Sequence, residues 1–203
     1  MRGGFTSRIG WGASRIVLAC ALALLAVAVA PAAAAARRDP RSALTCQHAN
    51  ASVHRAPTED LRAAVLCLIN KVRAAHGLPA LRAAQALNRS AQGWTNAMIA
   101  GRFFSHGSNF AARISAAGLT WSSAGENIAT GFQTPREVVD AWMSSTGHCE
   151  NILSPSFRDV GTGVSGAGVP GYGSAGTWTQ DFALPMGQRA PSGNWRPADD
   201  CPY

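Results

Sequence analysis

Four ionisable residues follow one another through the middle of the chain: His106, Glu126, Glu137 and His148, about twenty, eleven and eleven residues apart. Each lies beside a glycine or at a helix start, where a side chain is presented rather than packed. Imidazole is a common ligand for zinc, copper and nickel and the usual acid/base group near neutral pH. Two imidazoles and two carboxylates together could hold a divalent cation or an activated water. Each residue also has a plainer reading. His106, in Ser105-His106-Gly107, and His148, in Gly147-His148-Cys149, could be surface loop histidines, as His48, His54 and His76 are read to be. Glu137 closes the pattern Thr134-x-x-Glu137, a capping box in which the glutamate bonds back to the cap's N–H. Glu126 could be an exposed strand carboxylate, and Glu150 a first-turn acid favoured by the helix dipole.

Other chemistries are weaker. The spacing lacks the compact His-Glu-x-x-His of a strong metal motif, and no serine lies in Gly-x-Ser-x-Gly. Cys149 adjoins His148, but a cysteine from an even set in an exported chain is more often bridged than nucleophilic.

The elements that must position these residues can be read from periodicity. Leu61, Val65, Leu68 and Val72 form one apolar face of a helix over Glu59 to His76, capped by Thr58 and stopped by Gly77 and Pro79. Leu87, Ala91, Trp94 and Met98 mark a second helix from Ala83 to Ala100. Ser108 is expected to cap a third, Phe110 to Ala117, with Phe110, Ile114 and Ala117 inward. Trp121 to Ala129 is extended and carries Glu126. Thr134-Pro135 opens a fourth helix with Val138, Ala141 and Trp142 inward. Ser144 to Gly147 reads as a turn, and His148 to Leu153 as a short helix. Val160 to Val164 and Thr177 to Leu184, the latter alternating with a period of two, predict a hairpin with a long glycine-rich loop. Helices first and strands last imply an α+β domain with helices packed on a small antiparallel sheet.

The ends bound the setting. Arg2, Arg8 and Arg15 precede an apolar run from Ile16 to Ala30 and the small residues Ala32 to Ala36, a pattern that predicts a secretory signal peptide over residues 1–36. The rival reading, an uncleaved anchor, falls short of the ~20 apolar residues a span requires. Without that segment the net charge of +7 falls to +4, because three arginines leave and no acid does. No run of like charges remains, which argues against nucleic-acid binding and leaves a loose attraction to anionic envelope surfaces. Residues 37–57 read as an exposed arm, 58–184 as the folded domain and 185–203 as an extended tail. Cys46, Cys67, Cys149 and Cys201 make an even set and suggest two disulfides. Three pairings are open to four cysteines. The expected ones are Cys46–Cys67, pinning the arm to the first helix, and Cys149–Cys201, pinning the tail beside His148.

Six ordered blocks carry a family resemblance: Leu68 to Arg73 with Gly77 to Leu81, Ser105-His106, Gly125 to Ala129, Val138 to Met143, Gly147-His148 with Asn151 to Leu153, and Thr177 to Phe182. In these the chain resembles the CAP superfamily of cysteine-rich secretory, antigen 5 and pathogenesis-related proteins, in its bacterial secreted form. The resemblance implies an α-β-α sandwich with a cleft whose tetrad falls on His106, Glu126, Glu137 and His148. It also implies zinc or another divalent cation, or a small ligand, lipid or sterol, as what the cleft holds. His148 is followed here by Cys149-Glu150-Asn151, not by the aromatic of eukaryotic members. Their cysteine-rich extension has no counterpart in this sequence, so toxin, ion-channel and sterol-export roles are not expected to carry over. The expected function is a secreted binding protein of the cell envelope, with no transmembrane span once the signal is cleaved. A metal-dependent hydrolase and a lipid carrier are the alternatives.

Overall fold

A computed structural model describes residues 45–190 and 201–202. The expected signal peptide, the first part of the arm and most of the tail lie outside the described residues.

The apolar periodicities become helices where expected, with shifts at their ends. α1 spans Thr58–Ala75. Pro57 takes the N-cap position, so Thr58 is the first helical residue and not the cap. Gly77 turns the chain at φ 69°, the left-handed conformation that ends helices. The next two residues of order, Arg82–Ala83, form a two-residue strand, β1. That strand delays the second helix, and α2 runs Gln85–Gly101. α3 covers Phe110–Ala116 and is capped by Asn109, whose Oδ1 accepts from the Ala112 N–H at 3.0 Å. Ser108 does not cap it: Asn109 is one residue nearer the first free N–H groups.

β2 spans Trp121–Thr130, α4 Pro135–Met143 and α5 Thr146–Leu153, so Thr146 and Gly147 belong to the helix and not to the turn before it. β3, Asp159–Ala167, and β4, Ala175–Pro185, close the domain as the expected hairpin. The sheet order is β1-β3-β4-β2. β4 runs antiparallel to both β3 and β2, while β1 lies parallel to β3.

β4 is the axis of the molecule, and every one of its residues is buried. Its period of two therefore separates two interiors instead of core from water. Trp178 and Phe182 join the main core, with Leu61, Val65 and Ile69 of α1, Val138 and Trp142 of α4, and Ile152 and Leu153 of α5. Each such side chain contributes roughly 1.5–3 kcal/mol by leaving water. Thr177, Thr179 and Asp181 alternate with that set, on the face that α2 covers. There the Thr95 hydroxyl bonds that of Thr179 at 2.9 Å. α2 lies directly on β3 because Gly161 and Gly163 carry no side chain. A Cβ at either would run into the backbone of Leu87–Asn88 or Ala91–Gln92. The result is an α-β-α sandwich with α2 and α3 on one face and α1, α4 and α5 on the other.

Both expected disulfides are present, Cys46–Cys67 and Cys149–Cys201. A second clamp is Arg73, the last-turn residue of α1, which is fully buried. Its guanidinium donates to the carbonyls of Pro79 at 2.9 Å, Ile152 at 2.7 Å and Ser154 at 2.9 Å. These bonds tie α1 to the end of α5, and burial pushes the Arg73 pKa down to about 10, still cationic at neutral pH.

Candidate functional site

Glu126 is the fixed point of the site. It enters from β2 with a side chain only 1% exposed, and both its oxygens are engaged. His106 Nδ1 bonds Oε1 at 2.9 Å, and Arg113 of α3 bonds Oε2. The same guanidinium donates to the His106 carbonyl at 3.0 Å and lies 3.7 Å over the Trp94 ring of α2. Trp94 in turn donates its indole N–H to the Ser105 carbonyl at 3.0 Å. Gly107 has φ +70°, and a Cβ there would sit 3.0 Å from the Trp94 ring. Glycine is thus what lets the Ser105–Gly107 segment lie against the tryptophan. Arg113 and Trp94 hold the loop, and the loop holds His106.

Behind Glu126 lies a second carboxyl. Asp181 faces it across the β2–β4 ladder and is fully buried. Burial pushes its pKa up to about 8, and the charge on Glu126 adds to this, while Ser90 of α2 and the charge on Arg113 oppose it. Asp181 is therefore held as a neutral acid at neutral pH, as expected of two carboxyls sharing one dry pocket.

His148 is set by a chain of amides. Asn127 Nδ2 donates to the His148 carbonyl at 3.2 Å and to Gln180 Oε1 at 3.3 Å. Asn151 Nδ2 donates to Asn127 Oδ1 at 2.8 Å and to the Glu126 carbonyl at 3.2 Å. This network fastens α5 to β2, so Glu126 and His148 are positioned by the same contacts. Burial lowers the pKa of His148, and the nearby charge of His106 lowers it further.

Glu137 makes the capping box. Its Oε2 accepts from the Gln133 N–H at 2.7 Å and the Thr134 N–H at 3.0 Å, while Thr134 Oγ1 accepts from the Glu137 N–H at 3.2 Å. Among the described residues no hydrogen bond or ion pair links it to His106, Glu126 or His148. Nor do three or more His, Cys, Asp or Glu residues gather there into a group able to hold a metal ion. As arranged, one carboxylate is committed to His106 and Arg113 and the other to a helix cap.

Beside His148 opens an apolar cavity of about 330 Å³, walled by Phe104, Ile128, Phe132, Ala141, Trp142 and Tyr172, with Ser145 and His148 as its polar edge. No hydrogen bond reaches the His148 ring among the described residues.

Sequence reasoning missed Arg113 and Asp181. The first had a signal: Phe110, Arg113, Ile114 and Ala117 lie on one helical stripe, and a cation on an otherwise inward stripe needs a buried partner. Asp181 had one too, as a carboxylate in a strand whose other residues are Trp, Thr, Gln and Phe.

Residues 66–182 match the cysteine-rich secretory protein family, CAP. The chain is 38% identical over 123 residues to the protein YkwD of Bacillus subtilis (strain 168), a match covering 58% of this chain and 45% of YkwD. It is 31% identical over 104 residues to the membrane protein YlbC of the same organism, covering 49% of this chain and 30% of YlbC. The chain thus spans less than half the length of either relative. Among solved structures, an extracellular protein containing an SCP domain from Bacillus anthracis aligns with a TM-score of 0.53 at 25% identity, over 63% of this chain and 44% of that one. An outer surface protein of Borrelia burgdorferi aligns with a TM-score of 0.54 at 18% identity, over 60% of this chain and 90% of that one. Its likeness is one of fold. Among the described residues no helix is long and apolar enough to cross a membrane.

Proposed function

This chain belongs to the cysteine-rich secretory protein (CAP) family, and on that premise we propose that it is a secreted, non-catalytic binding protein of the cell envelope. Its ligand is a small amphipathic molecule whose apolar body enters the cavity of Phe104, Phe132, Trp142 and Tyr172 and whose polar head meets His148. The observation that carries this reading is the junction itself: an apolar cavity of about 330 Å³ ends on a half-buried imidazole that no side chain bonds among the described residues. Ligand sites are commonly concave and apolar with a few placed polar groups. Both oxygens of Glu126 are bonded, to His106 and Arg113, and Glu137 serves a helix end, which leaves neither poised as a general base. Two disulfides and the basic, then apolar, N-terminal sequence support secretion.

A second reading, a divalent cation such as zinc held by His106 and His148, is favoured by the charge coupling between the two imidazoles. Such an ion would supply Lewis acidity, and it would have only these two rings as evident protein donors.

Calorimetric titration of the chain with decanoate and, separately, with zinc distinguishes the readings. Ala141→Trp, which fills the cavity, is expected to weaken decanoate binding at least about tenfold, since more than 1.4 kcal/mol of contact would be lost. It leaves any zinc binding unchanged. Stoichiometric zinc that disappears in His106→Ala/His148→Ala, together with no saturable decanoate binding, would overturn the ligand reading in favour of the metal.

A further inference from the structure

The loop that joins β3 to β4 supplies one wall of the cleft and carries Tyr172 out into water. Its side chain is 60% exposed, the most of any large apolar residue described. Tyr172 also lines two cavities at once. One is the apolar cavity beside His148; the other is an open hollow of about 550 Å³ walled by Gly168, Pro170, Gly171, Gly173 and Ser174. The ring is therefore the partition between an apolar space and a polar one.

The loop fixes that ring in place. Val169 is fully buried with Met98 and Ile128, and its N–H donates to Thr130 Oγ1 at 3.3 Å. The N–H groups of Tyr172 and Gly173 both donate to the Val169 carbonyl, at 2.9 and 3.1 Å. Gly173 lies against Thr130 and Gly131, and a Cβ there would come 2.8 Å from Thr130 Oγ1. The chain is thus anchored on both sides of Tyr172, whose ring stands 6.0 Å from that of Phe104 and is tilted 41° to it. The surroundings are polar and uncharged. None of the residues walling the hollow is Asp, Glu, Lys, Arg or His. Among the described residues, no hydrogen bond reaches the Tyr172 or Ser174 hydroxyl, the Gly171 N–H or the Gly171 carbonyl. In the cleft the titratable lining residues are Tyr172 and His148, and the lowered pKa of His148 favours its neutral ring at neutral pH. An ion would meet no counter-charge on these walls. Hydroxyl groups, which give and accept a hydrogen bond alike, match this mixed set of donors and acceptors.

We propose that the ligand is a glycosylated amphiphile whose apolar chain fills the cleft and whose uncharged sugar ring stacks on Tyr172 and bonds the β3–β4 loop. This rests on the cleft reading above and adds the chemistry of the head group to it. A pyranose presents a face of slightly positive C–H groups to the negative face of an aromatic ring, while its hydroxyls project from the edge towards polar neighbours. Tyr172 is then the residue that selects the head, and the cavity beside it selects the chain. A free saccharide is the other source of the same chemistry.

The test is calorimetry of the full chain with 1-octanol, octyl β-glucoside, octyl β-galactoside and methyl β-glucoside, the octyl glycosides kept below their micelle concentrations. At least one octyl glycoside should bind about tenfold or more tightly than octanol, through stacking and added hydrogen bonds. Tyr172→Ala should abolish that advantage, and Tyr172→Phe, which keeps the ring, should retain most of it. Ala141→Trp should weaken octanol and the octyl glycosides alike. Thermal midpoints of the variants separate loss of the site from loss of the fold. Octyl glycosides no tighter than octanol, or an advantage that survives Tyr172→Ala, would overturn the sugar head and leave the cleft reading standing. Methyl β-glucoside binding as tightly as octyl β-glucoside would mean a site for free saccharide and overturn the joined one. No saturable binding of any octyl compound or of decanoate would remove the cleft reading, and this inference with it.

Discussion

At the scale of single residues, the site is governed by charge neutralisation in a dry place. Glu126 bonds both His106 and Arg113, while its neighbour Asp181 is fully buried beside it. The neutral form is the one that such a pocket tolerates. Asp181 therefore imposes a pH dependence whose sign follows from linkage. Its pKa is raised from 3.8 in the unfolded chain to about 8 in the folded one. The folded state binds the extra proton between those values, so this contribution to stability is complete below 3.8 and is lost as pH rises through about 8. Asp181→Asn keeps the shape and removes the titration. Its thermal midpoint should match the wild type near pH 5 and exceed it at pH 9. Equal midpoints at both values would show that Asp181 is ionised in the native protein. His148 runs the other way. Its lowered pKa supports folding above the ordinary histidine value and loses that support on acidification through the folded one.

At the scale of elements, periodicity made most of the fold legible, and the failures have physical causes. α1, α4 and the β3–β4 hairpin were readable because one apolar stripe or a strict alternation runs through each. The capping box of α4 was readable because Thr134 and Glu137 stand three apart. β1 was not, because two residues have no period, and its pairing with β3 is a purely tertiary event. Asp181 was passed over because alternation says which residues share a face, not whether that face meets water or a helix. His106, Glu126 and His148 stand out in the sequence by residue type and order, and their family spacing sharpens the set. Arg113, which holds two of them in relation, lies outside those blocks. The glycines of the α2–β3 contact test the element picture directly. Gly163→Ala places a methyl against the backbone of α2 and should cost about 3 kcal/mol, the upper range for overpacking. Gly93→Ala, the same change within α2, meets nothing within 4 Å and should stabilise by about 0.5–1 kcal/mol through helix propensity. Urea unfolding of the two variants should give opposite signs, and a shared sign would mean that α2 does not sit on β3 as described.

At the scale of the whole molecule, two kinds of tie hold the site in register, and they need not do the same thing. The disulfides act across long separations, 21 residues for Cys46–Cys67 and 52 for Cys149–Cys201. In the chain-entropy account their worth lies in restricting the unfolded state, about 3 and about 4 kcal/mol respectively. The amide network of Asn127, Asn151 and Gln180 acts in the native state, at the backbone that carries His148. Cys149 is the residue next to His148, so either tie could be what aims the imidazole. If the bridge works through the unfolded chain, Cys149→Ser/Cys201→Ser should lose about 4 kcal/mol of unfolding free energy and still bind decanoate with the affinity of the wild type. Asn127→Ala should cost less stability, about 1–3 kcal/mol for an unsatisfied buried group, yet lower that affinity because α5 is freed from β2. Titrating both variants under conditions where each is folded reads the two effects apart. Reduced affinity in the cysteine variant with full affinity in Asn127→Ala would mean that the tail, through Cys201, is what positions the cleft.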